Sequence, residues 1–298
     1  MYRSWRHGQN AYGVERMSTT KERAAAVRIR IGDVVITERG PVVEAMIDRP
    51  EVKNAINTGV IEGLEAALEH ALTYQARVLL IRGAGGTFCS GADLHHVDQM
   101  RHNAAKLDEW MARLSSLFDA FVAAPCAVVA AVEGYAVGGG LELLLACDVV
   151  IATHDARIGD GHGQYGLAPA GGAAVRLTRT LPRALAAYLL LSADLLTGGQ
   201  AAMWGLVTTA VAPAELDDAV DRMVSRISDR STHGLATIKR MMLNAATLPA
   251  VEATRRERAL FGIHMTTPDP IIGLAAFHDH RIPRFAGAPS WREGTDLE

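Results

Sequence analysis

The stretch AVVAAVEGYAVGGGLELLL, residues 127–145, decides most of the reading. Ala127–Val132 is a short, wholly apolar run, the pattern of a strand buried on both faces. It stops at Glu133, turns at Gly134, and reaches a second glycine group, Gly138-Gly139-Gly140, which opens the apolar helical pattern Leu141–Cys147. Glycines at the start of a helix let a ligand approach the bare backbone, where unpaired N–H groups and the positive end of the helix dipole converge. Glu142 falls in the first turn, flanked by four leucines. It reads either as a carboxylate that favours the dipole or as a partly desolvated acid. The second would have a raised pKa and suit proton transfer beside an anion hole. The residues alone leave both open.

Working outward, the alternation of strand and helix continues. Asp33–Thr37 and Val42–Ile47 flank the turn Arg39-Gly40-Pro41 and read as a hairpin. Val60, Ile61, Leu64, Ala67, Leu68, Ala71 and Leu72 recur at helical spacing. Val78–Ile81 is a buried strand ended by Gly83-Ala84-Gly85-Gly86, Lys106–Phe121 a second helix, and Val149–Ala152 a further strand. From about Gly171 strand signals fade, and Leu216–Ile227, Ala236–Ala246 and Val251–Phe261 read as helices. The pattern predicts an α/β fold with a buried, largely parallel sheet. Its organisation is a tail over 1–30, an α/β core over 31–225 and a helical C-terminal region over 226–298.

Composition narrows the function. The 298 residues are 49% apolar and 21% charged, with Lys plus Arg at 30 against Asp plus Glu at 33, a net charge of −3. A nucleic-acid binder would carry a basic surplus, and aromatics at 5% disfavour base stacking. Cys89, Cys126 and Cys147 form no C-x-x-C pair, and an odd count is no disulfide framework. A reducing compartment, the cytoplasm, is expected. No apolar run approaches the ~20 residues of a membrane span, so a soluble protein with no membrane or nucleic-acid partner is expected. Residues 1–30 hold Arg3, Arg6, Arg16, Lys21, Arg23, Arg28 and Arg30 against Glu15 and Glu22 only. They read as a disordered tail, or as residues upstream of a true start at Met17.

Two further glycine-rich sites need weighing. Gly161-His162-Gly163-Gln164-Tyr165-Gly166 matches G-x-G-x-x-G, but Leu167-Ala168-Pro169-Ala170-Gly171-Gly172 is a poor helix start. No acidic residue follows at the ribose position, so it is read as a decoy. In Thr87-Phe88-Cys89-Ser90-Gly91-Ala92-Asp93-Leu94, neither Ser90 nor Cys89 sits in a nucleophile signature. The plain reading is a strand-to-loop turn whose outward N–H groups can stabilise an oxygen anion.

The two remaining glycine-rich segments together resemble the enoyl-CoA hydratase/isomerase (crotonase) superfamily. The resemblance runs from about residue 33 to 287. It rests on Ile47-Asp48-Arg49-Pro50 with Asn54-Ala55-Ile56-Asn57, on Phe88–Leu94 and Gly134–Asp148, and on Arg176-Leu177-Thr178-Arg179. It continues through Leu196-Thr197-Gly198, Gly205-Leu206-Val207, Phe277–Arg281, Pro283, Phe285 and Gly287. It implies a spiral of β-β-α units with a helical C-terminal trimerisation region, assembled as trimers or dimers of trimers. It also implies an acyl-CoA thioester substrate whose enolate oxygen is held by the amides of Ala92 and Gly139, with no metal or redox cofactor. Substrate and CoA contacts are implied at Asn54, Ser90, Ala92, Asp93, Leu94, Gly138, Phe277 and His280.

The sequence departs from that pattern at one informative place. Glu142 matches the first of the hydratases' two glutamates, but the position of the second is His162, preceded by Gly161. Histidine relays protons near neutral pH, so hydration stays open and His162 is the expected catalytic partner of Glu142. Asp160 is a possible substitute acid. His280 stands where the family usually has lysine. The pair His278 and His280 lacks the further ligands that a metal site needs. His95, His96 and Met100 either line the acyl pocket or lie on a solvated turn, the latter favoured. The expected function is enoyl-CoA hydration. The alternatives are isomerisation, decarboxylation or thioester hydrolysis in the same pocket, or a non-catalytic acyl-CoA binder. A nucleotide-dependent dehydrogenase is a distant further possibility.

Overall fold

The computed structural model describes residues 28–285. The chain enters through β1 (Arg28–Ile31), β2 (Val34–Arg39) and β3 (Val42–Ile47), an antiparallel meander, then α1 (Thr58–Thr73). Next come β4 (Val78–Gly83), α2 (Leu94–Met100), α3 (Ala104–Ala123), β5 (Ala127–Val132), β6 (Tyr135–Val137) and α4 (Gly139–Leu145). They are followed by β7 (Val149–Thr153), β8 (Arg157–Gly159), α5 (Ala173–Thr180), α6 (Arg183–Ser192), β9 (Leu196–Thr197) and α7 (Gly198–Met203). The last strand is β10 (Thr209–Val211), and α8 (Leu216–Ser228), α9 (Thr232–Thr247), α10 (Ala250–His264) and α11 (Pro268–His278) complete the chain.

The main sheet has the order β1-β2-β3-β4-β5-β7-β10, parallel from β3 onward. Its apolar strands are buried on both faces, as their unbroken hydrophobicity requires. Leu79, Ile81, Val128, Ala130 and Val132 enter the larger core with α1, α3 and α4. Their neighbours Val78, Leu80, Val129 and Ala131 point the other way, onto Leu216, Val220 and Val224 of α8. Alternate residues thus feed two cores, the period-two rule of a strand.

A second, shorter layer runs beside the sheet. It holds β6, β8 and β9 together with two isolated parallel bridges, Ile56 to Ala92 and Cys89 to Ala136. Each long strand therefore leads to a short extended segment in this layer before its helix begins. β3 leads through Ile56 to α1, β4 through Cys89 and Ala92 to α2, and β5 through β6 to α4. That repetition is the β-β-α spiral that the family resemblance implied, and it gathers the loops 89–93 and 134–139 at one edge.

Two boundaries shift. Arg28–Arg30, expected in the tail, pair with β2, because Ile29 packs partly into the core. Residues 1–27, including Met17 and the other basic residues of the leader, and Gly287 lie outside the described residues. The expected border at 225/226 falls inside α8, which belongs to the core by its packing. Beyond it, α9 is anchored to the core by buried Lys239, whose Nζ donates to Phe121 O (3.1 Å), Cys126 O (2.9 Å) and Asp148 Oδ2 (2.7 Å). Among the described residues no helix is long and apolar enough to cross a membrane.

Candidate active site

The site is built where the second layer meets the start of α4. At the bridge, Ile56 N–H donates to Gly91 O and Asp93 N–H to Ile56 O, at 2.7 and 2.8 Å. In a parallel bridge those two bonds turn the amide of the residue between them, Ala92, to the opposite side. Gly139 is the first residue of α4, where an N–H has no partner within the helix. The two amides face the same small space. A methyl group on Gly139 would stand 3.2 Å from Ala92 N, and one on Gly91 would stand 3.4 Å from Gly139 N. Gly91 and Gly138 have left-handed φ values of 112° and 53°, which only glycine adopts without strain there. Gly140 is equally constrained, since a side chain would collide with Cys89 O at 2.2 Å.

Glu142 lies one turn into α4 and is buried, with Oε1 accepting the Ala173 amide at 3.1 Å. Burial pushes its carboxyl above the usual range, against the Ala173 amide and the charge of His162, which favour ionisation. The desolvated-acid reading of the sequence is therefore the one the fold produces. Gly171 approaches the carboxylate so closely that a methyl group on it would stand 2.4 Å from Oε2.

His162 begins a short 3₁₀ turn, His162–Tyr165, between the left-handed glycines Gly161 and Gly166. That geometry removes the dinucleotide reading, because no strand-to-α-helix turn is formed there. His162 Nδ1 lies 3.0 Å from Asp160 Oδ1. Burial alone would lower its pKa, but the hydrogen bond to Asp160 and the negative charges of Asp160 and Glu142 outweigh it and raise it. Asp160 thus turns toward His162.

The remaining expected residues divide. Asn54 is fully buried: Oδ1 accepts from Arg49 N (2.9 Å), while Nδ2 donates to Ala84 O (2.8 Å) and Thr87 O (2.5 Å). Its side chain holds the loops and has no group left for CoA, which corrects the expected contact. Asp93 is likewise engaged. It caps α2 through the amides of His95 and His96 and pairs with Arg49 at 3.0 Å. Despite its desolvation, Arg49 and those amides hold its carboxyl below the usual range. Ser90 Oγ is 3.3 Å from Val52 O, Leu94 is exposed, and Gly138 donates its amide to Gly159 O. Phe277 and His280 are exposed at the end of α11, with no side-chain hydrogen bond to the Glu142 site among the described residues.

Cys89 is buried and its thiol is pushed up to about 12 by desolvation, so it is no nucleophile. His95 is exposed as expected. His96 instead bonds Thr58 Oγ1 at 3.0 Å and packs edge-on to Trp110, and Met100 packs against the core. A turn that looked polar is half-buried because α3 lies against it. Among the described residues, no group of three or more His, Cys, Asp and Glu could hold a metal.

Sequence reasoning passed over Gly171 as a mere poor helix start, although its neighbourhood to Glu142 arises only from the fold. It also missed the role of Arg49, quoted only as part of a motif. Arg49 reaches Ala55 O (2.5 Å), Asp93 (3.0 Å) and Asp33 (3.3 Å), clamping the loop that carries Ala92.

Residues 37–288 match the enoyl-CoA hydratase/isomerase family. The chain belongs to the enoyl-CoA hydratase/isomerase family. It is 34% identical over 252 residues to the enoyl-CoA hydratase domain-containing protein 2, mitochondrial, of Bos taurus, covering 83% of this chain and 84% of the relative. It is 31% identical over 259 residues to the 2,3-dehydroadipyl-CoA hydratase of Escherichia coli (strain K12), covering 86% of this chain and all of the relative (100%). An enoyl-CoA hydratase from Polaromonas sp. JS666 superposes with a TM-score of 0.81 at 29% identity, over 85% of this chain and 99% of that one. The mixed α/β spiral and its helical C-terminal region are those of this family.

Proposed function

We propose that the protein is an acyl-CoA hydro-lyase that adds water reversibly to a 2-enoyl-CoA. The observation that carries this is the buried Glu142, whose carboxyl is pushed above the usual range by burial, beside the amides of Ala92 and Gly139, which have no hydrogen-bond partner among the described residues. The thioester oxygen sits between those amides. Their fixed dipoles meet the charge that grows there as the enolate forms, each worth about 10²–10³ in rate. Glu142 accepts a proton from the attacking water as its oxygen bonds to the β-carbon. His162, whose pKa the hydrogen bond to Asp160 and the charges of Asp160 and Glu142 raise against its desolvation, donates as imidazolium from Nε2 to the α-carbon. One water is consumed, and the two residues exchange the proton back through solvent. No metal or redox cofactor is called for.

Ser90, Leu94, Gly138, Phe277 and His280 are proposed to meet the acyl-CoA, His280 across a subunit boundary. A trimer or a dimer of trimers is supported by the apolar residues left exposed on the C-terminal helices, among them Phe261, Ile263, Ile271 and Leu274. Free Cys89, Cys126 and Cys147 suit a reducing compartment, the cytoplasm on the sequence reading.

The test is the loss of conjugated-thioester absorbance when the protein meets 2-enoyl-CoA esters of increasing chain length. Glu142→Gln is expected to cut kcat by about 10²–10⁴ while sparing CoA-ester binding. His162→Ala is expected to abolish hydration. A shifted double bond, released CO₂ or free CoA thiol in place of a 3-hydroxyacyl-CoA would move the assignment to an isomerase, decarboxylase or hydrolase. Tight binding with no turnover would leave a non-catalytic binder, against which stands the solvation cost of a carboxylate among leucines.

A further inference from the structure

The His162 ring has two nitrogens, and the fold treats them differently. Nδ1 is 3.0 Å from Asp160 Oδ1. The other edge faces the start of α4: a methyl group on Gly138 would stand 3.5 Å from His162 Cε1 and 3.6 Å from Nε2. Gly138 directly precedes the Gly139 amide, and its own amide ties the 159–162 loop to α4 through Gly159 O at 3.1 Å. Gly161, at φ 67°, makes the tight turn that brings residues two apart face to face.

We infer that Asp160 is a positioning residue that holds the proton on His162 Nδ1 and so presents Nε2 to the anion pocket. This rests on the hydratase reading for its kinetic consequence only. The charged groups that act on the ring are Asp160, from its own loop, and Glu142, from α4. Asp160 is 1% exposed, and its Oδ2 has no hydrogen-bond partner among the described residues. A buried carboxylate with one oxygen unmet costs stability. Among the described residues its side chain's one hydrogen-bond partner is the imidazole, and its second effect is to favour the imidazolium. A histidine held by a buried carboxylate has its tautomer set: when neutral, Nε2 is bare, and when charged, Nε2–H is the proton aimed at the pocket.

The experiment uses the full-length protein with ¹⁵N-labelled histidine and needs no substrate. Nitrogen chemical shifts followed through a pH titration give the tautomer and the pKa of His162, assigned by loss of its signals in His162→Gln. The expected neutral form is Nδ1–H. In Asp160→Asn, which keeps the side-chain shape, His162 is expected to titrate about one pH unit lower. Hydration kinetics then read the consequence. Asp160→Asn is expected to lower kcat by about 10²-fold with KM nearly unchanged, and to move the alkaline limb of the pH profile down with the imidazole. Asp160→Glu is expected to restore part of the shift. An Nε2–H neutral tautomer in the wild type would overturn the inference, as would an unchanged His162 titration in folded Asp160→Asn. If the nitrogen shifts hold while no 2-enoyl-CoA is hydrated, the hydratase reading fails and the positioning by Asp160 stands.

Discussion

The Glu142 carboxylate and the α-carbon of Gly171 are in contact so close that no side chain fits between them: a methyl group would lie 2.4 Å from Oε2. Gly171 has no left-handed φ, so the constraint is steric rather than conformational. Gly171→Ala is therefore expected to displace the carboxylate. A misplacement of about 1 Å costs around 10²-fold in turnover, and the overpacking costs about 1–3 kcal/mol of stability. Steady-state kinetics and thermal melting check both. Unchanged kcat in a folded variant would remove Glu142 from the reaction.

The pH dependence follows from two pKa values that are both raised. The active form carries Glu142 as carboxylate and His162 as imidazolium. The acid limb should then lie above the usual carboxylate range and the alkaline limb above the usual histidine value, the two limbs belonging to the pair. For folding the sign is the same for both groups. Each binds its proton more tightly in the native state, so stability falls as pH rises through their titrations. The histidine part is fully present below about 6.5 and is lost as pH passes the folded value. Denaturant melts of wild type and His162→Gln across pH 5–9 test this. A wild type that gained stability over the upper half of that range relative to the variant would contradict it.

Asn54→Ala should act on stability rather than on CoA affinity. It leaves Arg49 N, Ala84 O and Thr87 O without their partner, at about 1–3 kcal/mol for each group that water does not reach. Asn54 also sits at φ 57°, which alanine tolerates less well. A lowered melting temperature with CoA-ester affinity retained is expected. The reverse pattern would return Asn54 to the ligand.

Lys239→Met should cost about 3–5 kcal/mol, because it leaves half-buried Asp148 without its cation and frees the carbonyls of Phe121 and Cys126. Asp148 already titrates high, its desolvation outweighing the pull of Lys239. Adding Asp148→Asn to Lys239→Met is thus expected to recover part of the loss. A double-mutant cycle by chemical denaturation measures the coupling, and strict additivity would show that the pair does not hold α9 to the core.

Local order along the chain dictated the elements and little more. Unbroken apolar runs such as Val78–Ile81 and Ala127–Val132 demanded two-sided burial, and the helical spacing of Val60–Leu72 demanded a helix. Gly138-Gly139-Gly140 demanded an open helix start with Glu142 in its first turn. The motif order then made the family legible, and with it the place of Ala92 and of His162. Tertiary structure alone decided what these residues face. Burial depends on residues distant along the chain, and only the approach of Gly171 and Ala173 made Glu142 a desolvated acid. A hydrogen bond depends on direction, which sequence does not carry. Asn54 and Asp93 were therefore read as ligand contacts, although their polar groups were already taken by Arg49, Ala84, Thr87 and the first turn of α2. For the same reason Asp160 was legible as an acid in the sequence, and as the partner of His162 only once Gly161 had folded the two together.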